Sequence, residues 1–329
     1  YTTSGNNANY YVSTTGRHTN APTHYGVDSF KIVQLPQDSP IKKVGGFVSP
    51  YAFVLLEDGR LYTWGYNSAG QCGLGHTNTV AIPTLAATNV IDAYSHPSQG
   101  EYGVNDSRLF ILKSDGLYAA GYNAGGQLGV GDTATKSSFT KCTVFTSGAQ
   151  IKKVYPIGCT SGYTFVLTTD GKIYFAGTNN TGVCGDDTTA NKTSFTDVTS
   201  YWAGVSSDVK DIKVVGGSRY YDNADGGSQP SAIMLITLSD DSTIIKACGN
   251  NQWGQLGDGT TTQRTTPVTP LNVPGGSIID IAGFGSSPLT VQALASNGDL
   301  WAWGYNGQGQ VGDGTTTNRT TPIVVTTGV

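Results

Sequence analysis

Charge of either sign is scarce in this sequence: Asp, Glu, Lys and Arg together make up 13% of its 329 residues, and the formal net charge is −4. So few and so thinly spread basic residues give little attraction for a phosphate backbone or an acidic lipid surface. A nucleic-acid partner is therefore not expected. Apolar runs long enough to span a bilayer are also missing, so membrane insertion is not expected either.

The residue patterns that carry most enzyme chemistry are missing as well. The four histidines lack metal-ligand spacing, and no Gly-x-Ser-x-Gly, phosphate-binding loop or Cys-x-x-Cys occurs. We therefore expect no enzyme, no catalytic residue and no cofactor. The five cysteines, an odd number, do not form a disulfide framework, although Cys142 and Cys159 could meet across adjacent strands.

Helical periodicity is absent because glycine and proline interrupt every candidate window, and what the chain has instead is a repeated glycine-rich motif. Its clearest copy, at residues 61–75, reads L-Y-T-W-G-Y-N-S-A-G-Q-C-G-L-G. With a fainter copy at the start of the chain, the first motif glycines lie at residues 5, 65, 121, 177, 249 and 304. A spacing of about 55 to 72 residues predicts an array of similar units, as in a propeller.

A tight turn between two apolar runs precedes most copies of the motif. The turns are Asp58-Gly59, Asp115-Gly116, Asp170-Gly171 and Asn297-Gly298, and the fourth unit has Asp240-Asp241-Ser242 instead. These residues tolerate the positive φ that a two-residue hairpin turn needs. A proline-containing strand after the glycines and an apolar segment before the hairpin complete about four strands per repeat, the size of one propeller blade.

Two apolar strands around a D-G turn, then W-G-x-N-x-x-G-Q-x-G-x-G and a proline, resemble the repeat of the regulator of chromosome condensation family, the RCC1-like β-propellers. The resemblance covers almost the whole chain, although the family's usual histidine after the first apolar strand is missing and Val183 replaces the glutamine in the third copy. It implies an all-β fold: one RCC1-like β-propeller domain over residues 1–329, with about six blades. Five repeats are complete and one is split or incomplete.

The two ends of the chain do not add up to a full repeat. Elsewhere in the chain, a long segment separates the proline of a repeat from the next motif glycine. The tail after Pro322 and the head before Gly5 together are much shorter than that segment, so the ring is expected to lack roughly two strands. Three explanations stay open. The missing strands belong to a longer parent chain, another subunit donates them in a homo-oligomer or filament, or the split blade is short.

Function is expected where the repeat is broken, at residues 94–106, 201–204 and 216–231. Aromatic side chains on Gly/Ser-rich loops bind sugars, peptides or protein surfaces. The alternative is that these aromatics cap the ends of the core. The predicted ligand-binding residues, from these breaks and from corresponding positions, are Tyr51, Tyr102, Tyr163, Tyr201, Trp202, Tyr220 and Tyr221.

Metal binding is not predicted. Asp222 and Asp225 are weak calcium candidates because their spacing lacks the acidic alternation and closing glutamate of an EF-hand loop. The aspartate in the two Gly-Asp-Gly-Thr segments, at residues 257–260 and 312–315, is expected to bond local backbone amides in a turn.

A surface rich in Thr, Ser, Asn and Gly is typical of extracellular, cell-surface and virion proteins, and four sequons, at Asn105, Asn179, Asn191 and Asn318, permit glycosylation. We therefore expect a non-enzymatic extracellular or virion-associated propeller, a binding or structural module for adhesion, receptor binding or subunit assembly. Its partner would be a protein or glycan surface. The alternative, which the resemblance implies, is a regulatory propeller, either a guanine-nucleotide exchange factor or a secreted enzyme inhibitor.

Overall fold

The computed structural model is built almost entirely of antiparallel sheets. It describes residues 10–11, 32–33, 35–36, 38–46, 51–95, 107–158, 162–205, 208–217, 229–273, 278–284 and 289–327.

Five sheets have four strands each, and within each sheet the strands follow chain order. We name them blades A to E. A two-stranded sheet, β1 (Tyr10–Tyr11) with β2 (Ile32–Val33), precedes them. Blade A contains β3 (Ile41–Gly45), β4 (Tyr51–Leu56), β5 (Leu61–Gly65) and β6 (Val80–Ala87). Blade B contains β7 (Asp92–Ser95), β8 (Arg108–Lys113), β9 (Gly116–Gly121) and β10 (Lys136–Lys141).

The remaining blades follow the same plan. Blade C contains β11 (Ile151–Ile157), β12 (Tyr163–Thr168), β13 (Ile173–Gly177) and β14 (Lys192–Asp197). Blade D contains β15 (Val209–Gly217), β16 (Ser231–Leu238), β17 (Thr243–Gly249) and β18 (Arg264–Val268). Blade E contains β19 (Ile278–Phe284), β20 (Thr290–Ala295), β21 (Leu300–Gly304) and β22 (Arg319–Thr326). A 3₁₀ turn (Gly148–Gln150) precedes blade C, and one short helix, α1 (Thr199–Ala203), precedes blade D.

The second and third strands of each blade form the predicted hairpin. In blade A, Gly59 closes the turn with φ of 83°. In blade D, Asp241 takes the same left-handed conformation with φ of 66°, so an aspartate replaces the glycine without changing the hairpin.

The first strand of each blade contacts the first strands of the neighbouring blades along the series β3, β7, β11, β15 and β19. The ammonium of Lys43 pairs with Asp92 at 2.8 Å, and that of Lys153 pairs with Asp211 at 2.7 Å, so ion pairs link consecutive first strands. In a propeller this position is next to the central axis.

Four of the five hydrophobic clusters in the described residues lie between neighbouring blades, and the fifth lies on blade A. Leu55 of blade A packs in one cluster with Leu109 of blade B, and Phe165 of blade C packs in another with Met234 of blade D. The predicted all-β propeller of about six repeats, five of them complete, is confirmed.

Candidate functional site

The asparagine of each repeat motif organises the glycine-rich loop that follows it. Asn67 donates from Nδ2 to the carbonyls of His76 (2.8 Å) and Asn78 (3.1 Å), and its Oδ1 accepts the Cys72 N–H (2.8 Å). The side chain of the motif asparagine is buried in all five blades, at Asn67, Asn123, Asn179, Asn251 and Asn306. The motif asparagine is therefore a structural residue.

The same geometry corrects one sequon. Asn179 is fully buried, and its Nδ2 donates to the carbonyls of Thr188 (2.9 Å) and Ala190 (3.2 Å). A glycan cannot be attached to that nitrogen in the folded protein. Asn105 lies outside the described residues.

The aspartate of the Gly-Asp-Gly-Thr segments bonds its own turn, as predicted. Oδ1 of Asp258 accepts the Thr260 N–H at 3.0 Å, and Oδ2 accepts the Arg264 Nε–H at 2.6 Å. Burial raises the pKa of Asp258, but the hydrogen bonds from Thr260 and Arg264 outweigh it and hold the pKa below the ordinary value. Asp313 repeats these contacts in blade E.

Metal-ligating side chains do not cluster in the described part of the chain, where no three His, Cys, Asp or Glu side chains could hold an ion. The weak calcium candidates Asp222 and Asp225 lie outside it. Cys142, which could have met Cys159, is a free buried thiol whose Sγ contacts the Leu128 carbonyl at 3.2 Å. Cys159, with which it could have paired, lies outside the described residues.

The glycine-rich loops join neighbouring blades. The N–H of Gly131, in the loop of blade B, donates to the Thr193 carbonyl of β14 in blade C at 2.8 Å. Gly75, Asp187 and Gly259 make the equivalent bond from blades A, C and D. A Cβ added at Gly126 would lie 2.8 Å from the Thr193 Cα, so the loop needs glycine to approach the next blade closely.

Two of the aromatic residues predicted to bind a ligand are buried, and their hydroxyls form hydrogen bonds to the next blade. The Tyr51 hydroxyl donates to the Arg108 carbonyl at 3.2 Å, and the Tyr163 hydroxyl donates to the Ser231 carbonyl at 2.6 Å. Arg108, also buried, donates to the carbonyls of Gly158 (3.0 Å) and Tyr163 (3.2 Å). Burial raises the pKa of both tyrosines, so they remain neutral donors.

The residues that make these contacts occupy the same position in the repeat. The second strands of blades A, B, C and D begin at Tyr51, Arg108, Tyr163 and Ser231, respectively. The side chains of Tyr51, Arg108 and Tyr163 therefore reach the next blade from the same position of the repeat. Placing Tyr51 and Tyr163 on an exposed binding face is corrected for this reason. Sequence reasoning missed Arg108, although a lone arginine at the start of an apolar run was the available signal.

The short helix α1 separates the two neighbouring aromatics of the enlarged link. Trp202 is fully buried, donates from Nε1 to the Cys184 carbonyl at 2.8 Å and packs edge-on against Phe165 with ring centroids 5.4 Å apart. Tyr201 is 47% exposed. The helix ends at Gly204, which has φ of 73°, a common C-terminal cap. Trp202 is thus an anchor for the link, and Tyr201 is the aromatic that it presents to solvent.

Tyr201 borders a groove that we call the link groove, with a volume of about 230 Å³. It lies between α1, the strand β17 and the link from blade D to blade E. Its walls are mostly apolar, and Lys246, on β17, donates from Nζ to the Thr269 hydroxyl at 2.9 Å. The side chains that shape it are Tyr201, Ala203, Ile244, Lys246, Pro270 and Val273.

The structure therefore divides the predicted binding residues into buried and exposed ones. Tyr51, Tyr163 and Trp202 are buried, and Tyr201 is exposed beside the link groove. Tyr102, Tyr220 and Tyr221 lie outside the described residues, so their role stays a prediction. None of the helices in the described ranges is both long and apolar enough to cross a membrane.

The fold and its interlocking loops define a repeat β-propeller, and the comparisons identify the repeat. The family model "Regulator of chromosome condensation (RCC1) repeat" matches residues 58–93 and 297–329. The predicted resemblance to the RCC1-like repeat family is confirmed, and the family model carries it over these residues.

Relatives with similar sequences are much longer than this chain. The X-linked retinitis pigmentosa GTPase regulator of Canis lupus familiaris is 32% identical over 140 residues, which are 42% of this chain and 13% of that protein. The E3 ubiquitin-protein ligase HERC2 of Mus musculus is 28% identical over 257 residues, 78% of this chain and 5% of that protein. The chain thus spans only a small part of both relatives.

Two solved structures share the fold. Human WBSCR16 is 19% identical with a TM-score of 0.60, over 90% of this chain and 71% of that one. Prp20p from Saccharomyces cerevisiae, whose structure was described with its binding properties to Gsp1p and histones, is 18% identical with a TM-score of 0.52, over 84% and 61%.

The relatives overturn the predicted location. A GTPase regulator, a ubiquitin ligase and a histone-binding protein are intracellular proteins, and none of these three points to the outside of a cell or to a virion. The expectation of an extracellular, cell-surface or virion protein is therefore wrong.

Proposed function

We propose that this chain is a non-catalytic, regulatory RCC1-like propeller that binds partner proteins at the link groove. Residues 1–329 act as one propeller domain in this proposal. The observation that carries it is the pairing of an exposed aromatic, Tyr201, with an apolar groove beside it. Aromatic side chains next to apolar pockets are typical anchors of protein interfaces.

The size of the groove favours a protein partner over a small cofactor. Ligand sites for drug-sized molecules measure roughly 300–1,000 Å³. The link groove, at about 230 Å³, is smaller and has room for a side chain of a partner.

The buried thiols support a binding role rather than covalent catalysis. Burial raises the pKa of Cys72 to about 11 and that of Cys248 to about 12, so neither forms a thiolate nucleophile at neutral pH.

The relatives favour regulation and protein partners. One is named a GTPase regulator, and Prp20p was described binding Gsp1p and histones. They give no support to a glycan ligand or a homo-oligomer. A second candidate function, regulation of nucleotide exchange on a small GTPase, follows from the same names.

Site-specific photocrosslinking tests the binding proposal. A photoreactive amino acid at position 201 should give an adduct with a partner protein, whereas the same group at the exposed control position Thr261 should not. The partner identified from the adduct is then titrated against purified wild-type protein and against Ile244→Asp. The proposal predicts at least about tenfold weaker binding to the variant, because a desolvated apolar contact is lost. Equal adducts at both positions, or equal affinity of the two proteins, would contradict it.

Release of a fluorescent guanine nucleotide tests the second candidate. The propeller should accelerate release from at least one member of a panel of small GTPases. If groove binding is confirmed while release stays at the intrinsic rate for every member, the chain binds proteins without acting as an exchange factor.

A further inference from the structure

We propose that the link groove recognises an aromatic side chain of the partner together with a nearby carboxylate, which pairs with Lys246. This inference rests on the proposed function, because it names the chemistry that the binding site would take. The partner is thus an acidic, aromatic segment of a protein.

The volume and the walls of the groove fit an aromatic ring. An apolar cavity of about 150 Å³ is known to bind benzene, so the 230 Å³ of the link groove can hold a larger ring. Ile244, Pro270 and Val273 offer apolar contact. Tyr201 stands at the border, where its ring can meet a second ring edge to face.

Lys246 supplies the charge that selects a carboxylate. Its Nζ donates to the Thr269 hydroxyl at 2.9 Å, and no ion pair joins it to a carboxylate of the described residues. Lys210 and Lys213, on β15 of the same blade, are different, because they pair with Asp241 and Asp280. A lysine that faces an apolar groove without a carboxylate attracts one from a partner and gives the interface electrostatic complementarity.

A single cation argues against phosphate as the recognised group. Phosphopeptide sites use clusters of arginine, and nucleic-acid sites use several basic residues along a surface. Among the described residues that line the link groove, Lys246 is the only basic one. The low charge of the chain, −4 overall, gives no wider basic field.

Two small probes that differ in one charge test the inference. N-acetyl-tryptophan carries the indole ring and a carboxylate, and N-acetyl-tryptophanamide carries the same ring without the charge. In NMR titrations of isotope-labelled protein, both should shift the signals of Tyr201, Ile244 and Val273. Because a partly exposed ion pair contributes little, the acid should bind about two- to fivefold more tightly than the amide.

A lysine variant separates charge from packing. In Lys246→Met the acid and the amide should bind equally, while in the control Lys113→Met, on blade B, the preference for the acid should persist. A wild-type protein that binds acid and amide equally, or signals that shift only outside the groove, would overturn the inference. If that result accompanies a position-201 crosslink that Ile244→Asp abolishes, the proposed function survives and only the aromatic-acid chemistry fails. If crosslinking and probe binding both fail, the proposed function fails too.

Discussion

At the scale of single residues, polar and aromatic side chains in this chain mostly hold blades together. Tyr51 and Tyr163 were predicted at the surface because they occupy positions that correspond to breaks in other repeats, and Arg108 follows the break at residues 94–106. Each is buried and bonds a backbone carbonyl in the next blade. A buried carbonyl without its donor costs free energy, so these contacts should be measurable as stability.

Replacing Tyr163 with phenylalanine should lower the free energy of unfolding by about 1–2 kcal/mol. The ring packing with Phe165 and Phe175 stays, but the Ser231 carbonyl loses its hydrogen bond. Urea denaturation measures the change. The control Tyr201→Phe, at an exposed site, should stay within about 0.5 kcal/mol of wild type. Equal effects of the two substitutions would show that the Tyr163 hydroxyl does not tie the blades.

Acid should weaken the turn built on Asp258. Its folded pKa lies below its unfolded value, so the stabilisation is fully present above the unfolded pKa and is lost as pH falls through the folded pKa. The urea midpoint of the wild-type protein should therefore fall between pH 7 and pH 3, and fall less in Asp258→Asn. The exposed control Glu57→Gln should keep the wild-type pH dependence. A pH response in Asp258→Asn equal to that of wild type would rule out this turn as a source of acid sensitivity.

At the scale of elements, the hairpins and glycine loops could be predicted because their signals are local. A D-G turn fixes the hairpin it belongs to, and the spacing of the motif glycines places the loops. Even the departure at Asp241 gives the expected turn. The helix α1 could not be predicted, because five residues are too few for an apolar stripe and its position depends on the burial of Trp202.

The link groove could not be predicted from the sequence either, for a different reason. Its walls come from α1, from β17 and from the link after blade D, and Ala203, Ile244 and Val273 meet only in the folded chain. Nothing in the local sequence of Ile244 distinguishes it from a core residue. Only Tyr201 carried a signal, as an aromatic in an enlarged link.

Loop docking between blades should be sensitive to a single methyl group. Gly126→Ala places a Cβ 2.8 Å from both the Lys192 carbonyl oxygen and the Thr193 Cα of the next blade, at a backbone φ of 82°. The expected loss is about 1–2 kcal/mol from the left-handed conformation and a further 1–3 kcal/mol from the clash.

The matched control is Gly314→Ala in blade E. Its φ is 76°, and an added Cβ meets no described atom within 4 Å, so only the conformational cost remains. Thermal unfolding compares the two variants. The same change in Tm for both would mean that Gly126 is required for its backbone conformation and that the approach of the next blade adds nothing.

At the scale of the whole molecule, the composition predicted the wrong compartment for a structural reason. Many of the serines and threonines lie on the outermost strands, where Thr193 and Thr265 accept the loop of the preceding blade through their carbonyls. Several of the few charges link blades, as in the pair of Lys153 with Asp211. Because these docking bonds use backbone carbonyls, a hydroxyl-rich, weakly charged chain is compatible with them, and this composition says little about where the protein resides.

Because most of the hydrophobic clusters lie between blades, residues 1–329 should unfold as one cooperative unit. Leu128 belongs to the cluster shared by blades B and C, whereas the five tryptophans lie outside that cluster, in blades A, D and E and in α1. Leu128→Ala should cost about 2–5 kcal/mol by leaving a cavity. If the blades are coupled, tryptophan fluorescence and far-UV circular dichroism should show the same lowered midpoint, because no blade can keep its core after its neighbour unfolds.

A repeat array with weak coupling behaves differently, since each unit then unfolds by itself. A fluorescence midpoint that stays at the wild-type value while the circular dichroism shifts would show that the parts of the chain that carry the tryptophans are stable without the cluster of blades B and C, and that the chain is more than one folding unit.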